Sequence, residues 1–142
     1  MRIFLDANIL VSVLNKEYPS FSHTARILSL SGKKGFEIFT SPICLAIAFY
    51  FAEKKYKAKI AKTKIQILTD HINIAEATTT SVQKALKDKS VLDFEDGLEY
   101  YAAIENNCSC LVTEDVSDFY FSKIEVLSSE AFFEKYMIKQ RQ

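Results

Sequence analysis

The sequence predicts an α/β domain, a three-layer α/β/α sandwich around a central parallel sheet of about five strands. Five short β-like runs, Arg2–Leu5, Phe36–Thr40, Ile72–Ala75, Cys110–Val112 and Ile124–Leu127, alternate with longer segments of helical character. Strands alternating with helices imply parallel pairing, with helices covering both faces of the sheet. The chain has 142 residues, 49% hydrophobic and 25% charged, and no Pro/Gly linker or internal repeat divides it. That balance belongs to one folded domain, residues 1–142, large enough to bury a single core.

The first run is apolar until Asp6, and Asn8–Leu14 continues in a helical pattern, so a buried strand feeds a helix with Asp6 at the strand's carboxyl end. Pro19-Ser20 opens a second helix carrying Phe21, Ala25, Ile27, Leu28 and Leu30, closed by Gly32 and Gly35. After the second strand, Ser41 is placed to cap a helix with Pro42 at its first position, running to about Glu53. Lys57–Asp70 sets Ile60, Ala61, Ile65, Ile67 and Leu68 against a lysine-bearing face, the pattern of an amphipathic helix. Thr80–Leu86 reads as a short helix and Asp93–Asn107 as a longer one. A last helix starts at Ser129 and carries Phe132, Phe133 and Tyr136.

Several function classes fall away. With three Gly and neither G-x-x-x-x-G-K-[ST] nor G-x-G-x-x-G, the chain has no phosphate-cradling loop. Three cysteines, Cys44, Cys108 and Cys110, fit no disulfide framework, and His23 and His71 lie too far from them in sequence to suggest a zinc set. They read as buried thiols in a reducing compartment. Asp6 interrupts the only N-terminal apolar run, and the longest apolar stretch, Pro42–Ala52, is too short for a bilayer. A cytoplasmic protein with no membrane partner is the expectation.

The net charge of zero conceals a division. Residues 1–71 hold 11 basic and 5 acidic side chains, and residues 72–142 hold 7 basic and 13 acidic. In open parallel sheets, ligands bind beyond the carboxyl ends of the strands. Asp6 follows the first strand, Asp115 follows the fourth, and Asp96 lies in the first turn of the helix that leads into the fourth. Three converging carboxylates repel unless a divalent cation neutralises them, which points to Mg²⁺ or Mn²⁺. A hard cation held by carboxylates polarises a phosphoryl oxygen and acidifies a bound water, the chemistry of phosphodiester hydrolysis. Each acid alone has a plainer explanation: Asp6 as a helix cap, Asp96 as a first-turn acid favoured by the helix dipole. Glu95 and Glu99 enrich the same region. Asp93, Asp96 and Glu99 are spaced i, i+3 and i+6, and Asp93 suits a cap better than a ligand.

Four segments in order carry a resemblance. They are Ile3-Phe4-Leu5-Asp6-Ala7-Asn8-Ile9-Leu10, then Asp93-Phe94-Glu95-Asp96-Gly97-Leu98 with Ala102-Ala103, then Leu111-Val112-Thr113-Glu114-Asp115 with Asp118-Phe119, and last Ser128-Ser129-Glu130-Ala131-Phe132. Together they resemble the PIN-domain family, over nearly the whole chain. The resemblance implies a five-stranded parallel sheet sandwiched by helices and a metal-dependent ribonuclease, and small single-domain members are often VapC-type toxins. It implies Asp6, Asp96 and Asp115 as metal-binding catalytic acids, Asn8 and Thr113 as hydrogen-bonding supports, and Asp118 as a looser support. RNA, a small antitoxin protein and a second copy of the chain are the partners it implies. The chain departs from the family at one place. A Glu is usual in the helix after the second strand, where Ala46 or Ile47 stands here. Glu53 lies roughly 9–10 Å further along an ideal helix.

Six lysines, Lys54, Lys55, Lys57, Lys59, Lys62 and Lys64, fall within eleven residues. They are either a solvated helix face or a surface for an RNA backbone, which is held mainly by charge. Tyr50, Phe51 and Tyr56 beside them are either packing residues or stacking platforms for single-stranded bases. The leading expectation is a Mg²⁺/Mn²⁺-dependent endoribonuclease, and the alternative is a PIN-like module that binds RNA or a protein without cutting. A haloacid-dehalogenase-type phosphatase would need Asp-x-Asp after the first strand, where Asp6-Ala7-Asn8 stands. A receiver domain would need an Asp after the third, where Ile74-Ala75-Glu76-Ala77 offers none.

Overall fold

The computed structural model describes residues 1–138. In chain order it runs β1 (Arg2–Leu5), α1 (Ala7–Asn15), α2 (Phe21–Leu28), β2 (Glu37–Thr40), α3 (Pro42–Thr69), β3 (Asn73–Ile74), α4 (Thr79–Lys87), α5 (Phe94–Glu105), β4 (Cys110–Val112), a 3₁₀ turn (Val116–Phe119), β5 (Glu125–Leu127) and α6 (Ser129–Phe132). A π-helical turn, Phe133–Ile138, extends the last helix.

The five strands form one sheet in the order β3-β2-β1-β4-β5, and every pairing is parallel. Successive side chains of a strand point to opposite faces. Ile3, Phe4 and Leu5 of β1, and Cys110, Leu111 and Val112 of β4, are all fully buried, so helices cover the sheet on both sides. This is the three-layer α/β arrangement that the alternating pattern predicts. Helix α1 packs on α3 and α2, α4 on α5, and α2 on α6.

Local chemistry explains the helix starts. Ser41 caps α3 by accepting from the Cys44 amide, with Pro42 at the first position. Thr78 and Ser81 form a reciprocal capping box on α4. Asp93 Oδ1 accepts from the Asp96 amide at 3.0 Å, the capping role expected for it. The two helices predicted on either side of residues 54–56 are both present within α3, meeting at a kink at Lys57, whose backbone adopts the non-helical φ 68° and ψ 163°. The third strand is shorter than its apolar run, only Asn73–Ile74. All three cysteines are free and buried.

The chain leaves β1 towards β2 on one side, while β4 takes the other side of β1. The crevice above the β1–β4 boundary is therefore the switch point of the sheet, where such folds place ligands.

Candidate functional site

Asp6 stands immediately beyond β1, and Thr113 to Asp115 stand immediately beyond β4. The strands pair Leu5 with Val112, and the Asp6 amide donates to the Val112 carbonyl at 3.0 Å, so the ladder continues one step past β1. Two loops more than a hundred residues apart in sequence are thus fixed side by side. A network of short bonds locks them. Thr113 Oγ1 donates to Asp6 Oδ2 at 2.7 Å, and the Ala7 amide donates to Asp6 Oδ1 at 2.6 Å. Asn8 Nδ2 donates to Thr113 Oγ1 (3.1 Å) and to Asp115 Oδ2 (3.2 Å), while its Oδ1 accepts from the Glu114 amide at 3.2 Å. Asn8 and Thr113, the two supports that the resemblance implies, are the residues that make these bonds. Asp6 also caps α1, so the cap and the site are one carboxylate in two roles.

Above them opens a pocket of about 500 Å³, lined by Asp6, Asn8, Asp93, Glu95, Asp96, Asp115 and Asp118, with Glu17 at its rim and Ala7, Val11, Ile47 and Phe51 as its apolar wall. The sequence-predicted acids Asp6, Asp96 and Asp115 are brought to this one cavity, together with Asp93 and Asp118. No lysine or arginine lines it. Asp93 faces the cavity while capping α5 through its other role. Of the two residues standing where the family carries a Glu, it is Ile47 that forms part of the wall.

Uncompensated negative charge marks the electrostatics. Asp96 is pushed up to about 7, first by burial and then by the charges of Asp93, Asp6, Asp118 and Glu95. Burial also raises Asp6, partly offset by the hydrogen bonds it makes with the Glu99 carboxyl, Thr113 and the Ala7 amide, with the Asp115 charge adding to the rise. Glu95 is raised by burial and by Asp93 and Asp6.

Beside Asp6 lies a group absent from the expected ligand set. Glu99, one turn after Asp96 on α5, is 1% exposed. Its Oε1 accepts from Cys44 Sγ of α3 at 2.9 Å, while its buried Oε2 has no hydrogen-bond partner. Burial, and then the Asp6 charge, push Glu99 up to about 10. Burial, followed by the charges of Glu99 and Asp6, raises the Cys44 thiol. Among the described residues, Asp6, Cys44 and Glu99 form the group of three candidate ligand atoms that all lie within 4.8 Å of one another. The signal for Glu99 was its i+3 spacing from Asp96, between the buried Leu98 and Tyr100.

The donor set suits a hard divalent cation. Carboxylate oxygens outnumber every other polar group in the pocket, no protein cation balances them, and the buried Glu99 carboxyl lies against Asp6 with no donor reaching its Oε2.

The lysines lie elsewhere. Lys54, Lys55, Lys57, Lys59 and Lys62 are exposed on α3, and none lines the pocket. Lys54 Nζ sits 4.1 Å from the centre of the Tyr50 ring, and Lys55 Nζ donates to the Asn15 carbonyl. Phe51, at the pocket wall, joins this segment of α3 to the acids. Among the described residues, no helix is long and apolar enough to cross a membrane.

Comparison with known proteins agrees with this geometry. A curated relative, Ribonuclease VapC1 of Aquifex aeolicus, is 27% identical over 139 residues, 95% of each chain. The VapBC-1 structure from nontypeable Haemophilus influenzae superposes with a TM-score of 0.71 at 19% identity, covering 92% of this chain and 99% of that one. VapBC2 from Rickettsia felis, bound to a DNA fragment of its promoter, gives 0.69 at 22% identity, covering 90% and 98%. VapC20 of Mycobacterium tuberculosis, described as a Sarcin-Ricin loop cleaving toxin, gives 0.60 at 14% identity, covering 77% and 86%. A family model described as PIN domain matches residues 2–117. With that match over most of its length, and an acidic pocket at the switch point of a five-stranded parallel sheet, the chain belongs to the PIN domain family.

Proposed function

We propose that the protein is a metal-dependent endoribonuclease and the toxin of a toxin–antitoxin pair, acting in the cytoplasm. One observation carries the catalytic part: Asp6, Asp96 and Asp115, from three separate segments, line one pocket that no protein cation neutralises. The relative named Ribonuclease VapC1 and the toxin structures with this fold support the biological part.

On this proposal Asp6, Asp96 and Asp115 hold Mg²⁺ or Mn²⁺, which when bound polarises a phosphodiester and supplies an activated water. The chain's own residues do the rest. Thr113 and the Ala7 amide fix both oxygens of Asp6, so its carboxylate does not rotate. Asn8 ties Asp115 to Thr113, holding the two strand ends at one spacing. Asp93, through its cap on the Asp96 amide, sets the start of α5 and hence the position of Asp96. Asp118, at the cavity edge, adds to the field that attracts a cation. Lys54, Lys55, Lys57, Lys59 and Lys62 attract the RNA backbone from the neighbouring helix. A small antitoxin and a second copy of the chain are the protein partners on this proposal. Apolar side chains exposed on α3, among them Tyr50, Ile60 and Ile67, offer them a surface.

The apolar Ile47 on the pocket wall favours a second reading, a PIN module that binds RNA or a protein without cutting. One assay separates the two. Purified protein is given single-stranded RNA and Mn²⁺ or Mg²⁺, beside an Asp6→Asn variant prepared identically. The nuclease predicts cleavage that falls about 100-fold or more in the variant. Equal cleavage by both proteins, or none by either, overturns it.

A further inference from the structure

We propose that Glu99 is a fourth metal-binding acid, and that its Oε2 joins Asp6 in holding the cation. This rests on the metal-site reading above and adds to it a residue and a position. Three independent features support it. Glu99 is fully buried and nothing donates to Oε2; besides the Cys44 thiol its hydrogen-bonding neighbour is Asp6, a second carboxyl, and two acids in such contact need either a shared proton or a cation between them. Its other oxygen is occupied, since Cys44 Sγ donates to Oε1 at 2.9 Å and so fixes which oxygen is left free. Candidate ligand atoms of Glu99 and Asp6 lie within 4.8 Å of each other, the separation of two oxygens that share one ion. Asp96 lies three residues earlier on the same face of α5, towards the pocket that Asp6 also lines.

The arrangement also gives Ile47 a place. Helix α3 contributes an apolar wall and, one turn earlier, the Cys44 thiol that orients Glu99. The acid that reaches Asp6 comes from α5. Cys44 is then a positioning residue for the site rather than a reactive thiol, in keeping with its complete burial.

The test is Mn²⁺ binding by titration calorimetry on the purified protein, with RNA absent, comparing wild type, Asp6→Asn and the near-isosteric Glu99→Gln. Both variants are expected to bind Mn²⁺ about tenfold or more weakly. If Asp6→Asn loses binding while folded Glu99→Gln binds as wild type does, this inference falls and the site reading stands. Binding absent from the wild type, or unchanged in Asp6→Asn, overturns both. Should Glu99→Gln fail to fold, a crystal of the wild type soaked in Mn²⁺ decides. An anomalous peak at coordination distance from Glu99 Oε2 supports the assignment, and one held by Asp6, Asp96 and Asp115 without Glu99 overturns it.

Discussion

Glu99 and Asp96 set how the metal-free protein responds to pH. Glu99 is raised from 4.5 to about 10 in the fold, and Asp96 from 3.8 to about 7. Between the ordinary and the raised values the folded chain holds protons that the unfolded chain has released, so stability falls as pH rises. For Asp96 that window ends near 7, and for Glu99 it continues to about 10. The melting temperature of metal-free protein is therefore expected to drop steadily from pH 5 to pH 9, and Glu99→Gln to flatten the drop above pH 7. A wild-type melting temperature that climbs over this range contradicts the expectation. The acids that follow strands, Asp6 and Asp115, were legible because a strand end has a fixed place in a parallel sheet. Glu99 was not, because its depth depends on Cys44 and Asp6 arriving from two other elements. Helical spacing alone does not say which face those elements cover.

At the scale of elements, the α4–α5 packing governs where Asp96 lies. A Cβ on Gly97 would meet Val91 Cγ1 at 2.7 Å and Ala85 Cβ at 3.1 Å, so this glycine permits the close approach of α5 to α4 and the chain that follows it. Gly97→Val is expected to destabilise the fold by about 2 kcal/mol in chemical denaturation, through overpacking. It should also weaken Mn²⁺ binding by displacing the neighbouring acid. Most elements were readable from period and caps: Ser41-Pro42 marks the start of α3, and Asp93 the start of α5. The sequence pattern shows the break between the two halves of α3, but not its sharpness: it is a kink at one residue, Lys57, at a positive φ of 68°. A lysine carries no signal for that conformation, which glycine or asparagine would announce.

Across the whole molecule, the division of charge between the two halves of the sequence survives folding only in part. Five acids of the second half gather in the pocket, but they meet Asp6 and Glu17 of the first half there, and the lysines stay outside on α3. If those lysines hold RNA, replacing Lys57, Lys59 and Lys62 together by Gln should weaken binding. It should also lower the slope of log affinity against log salt by about 2, from roughly 0.7 per phosphate contact on a single strand. An unchanged slope, measured by fluorescence anisotropy on an inactive Asp6→Asn background, returns these lysines to a solvated face.

The order β3-β2-β1-β4-β5 has a consequence for synthesis in the cell. The first strand made becomes the middle of the sheet, and the neighbour that completes its pocket comes more than a hundred residues later. A chain interrupted before Thr113 carries Asp6 without the hydroxyl that orients it, and without the last of the three acids. Prematurely ended fragments therefore lack the means to bind a cation in this way. If the protein is a nuclease, RNA is exposed to it only once nearly the whole chain has been translated.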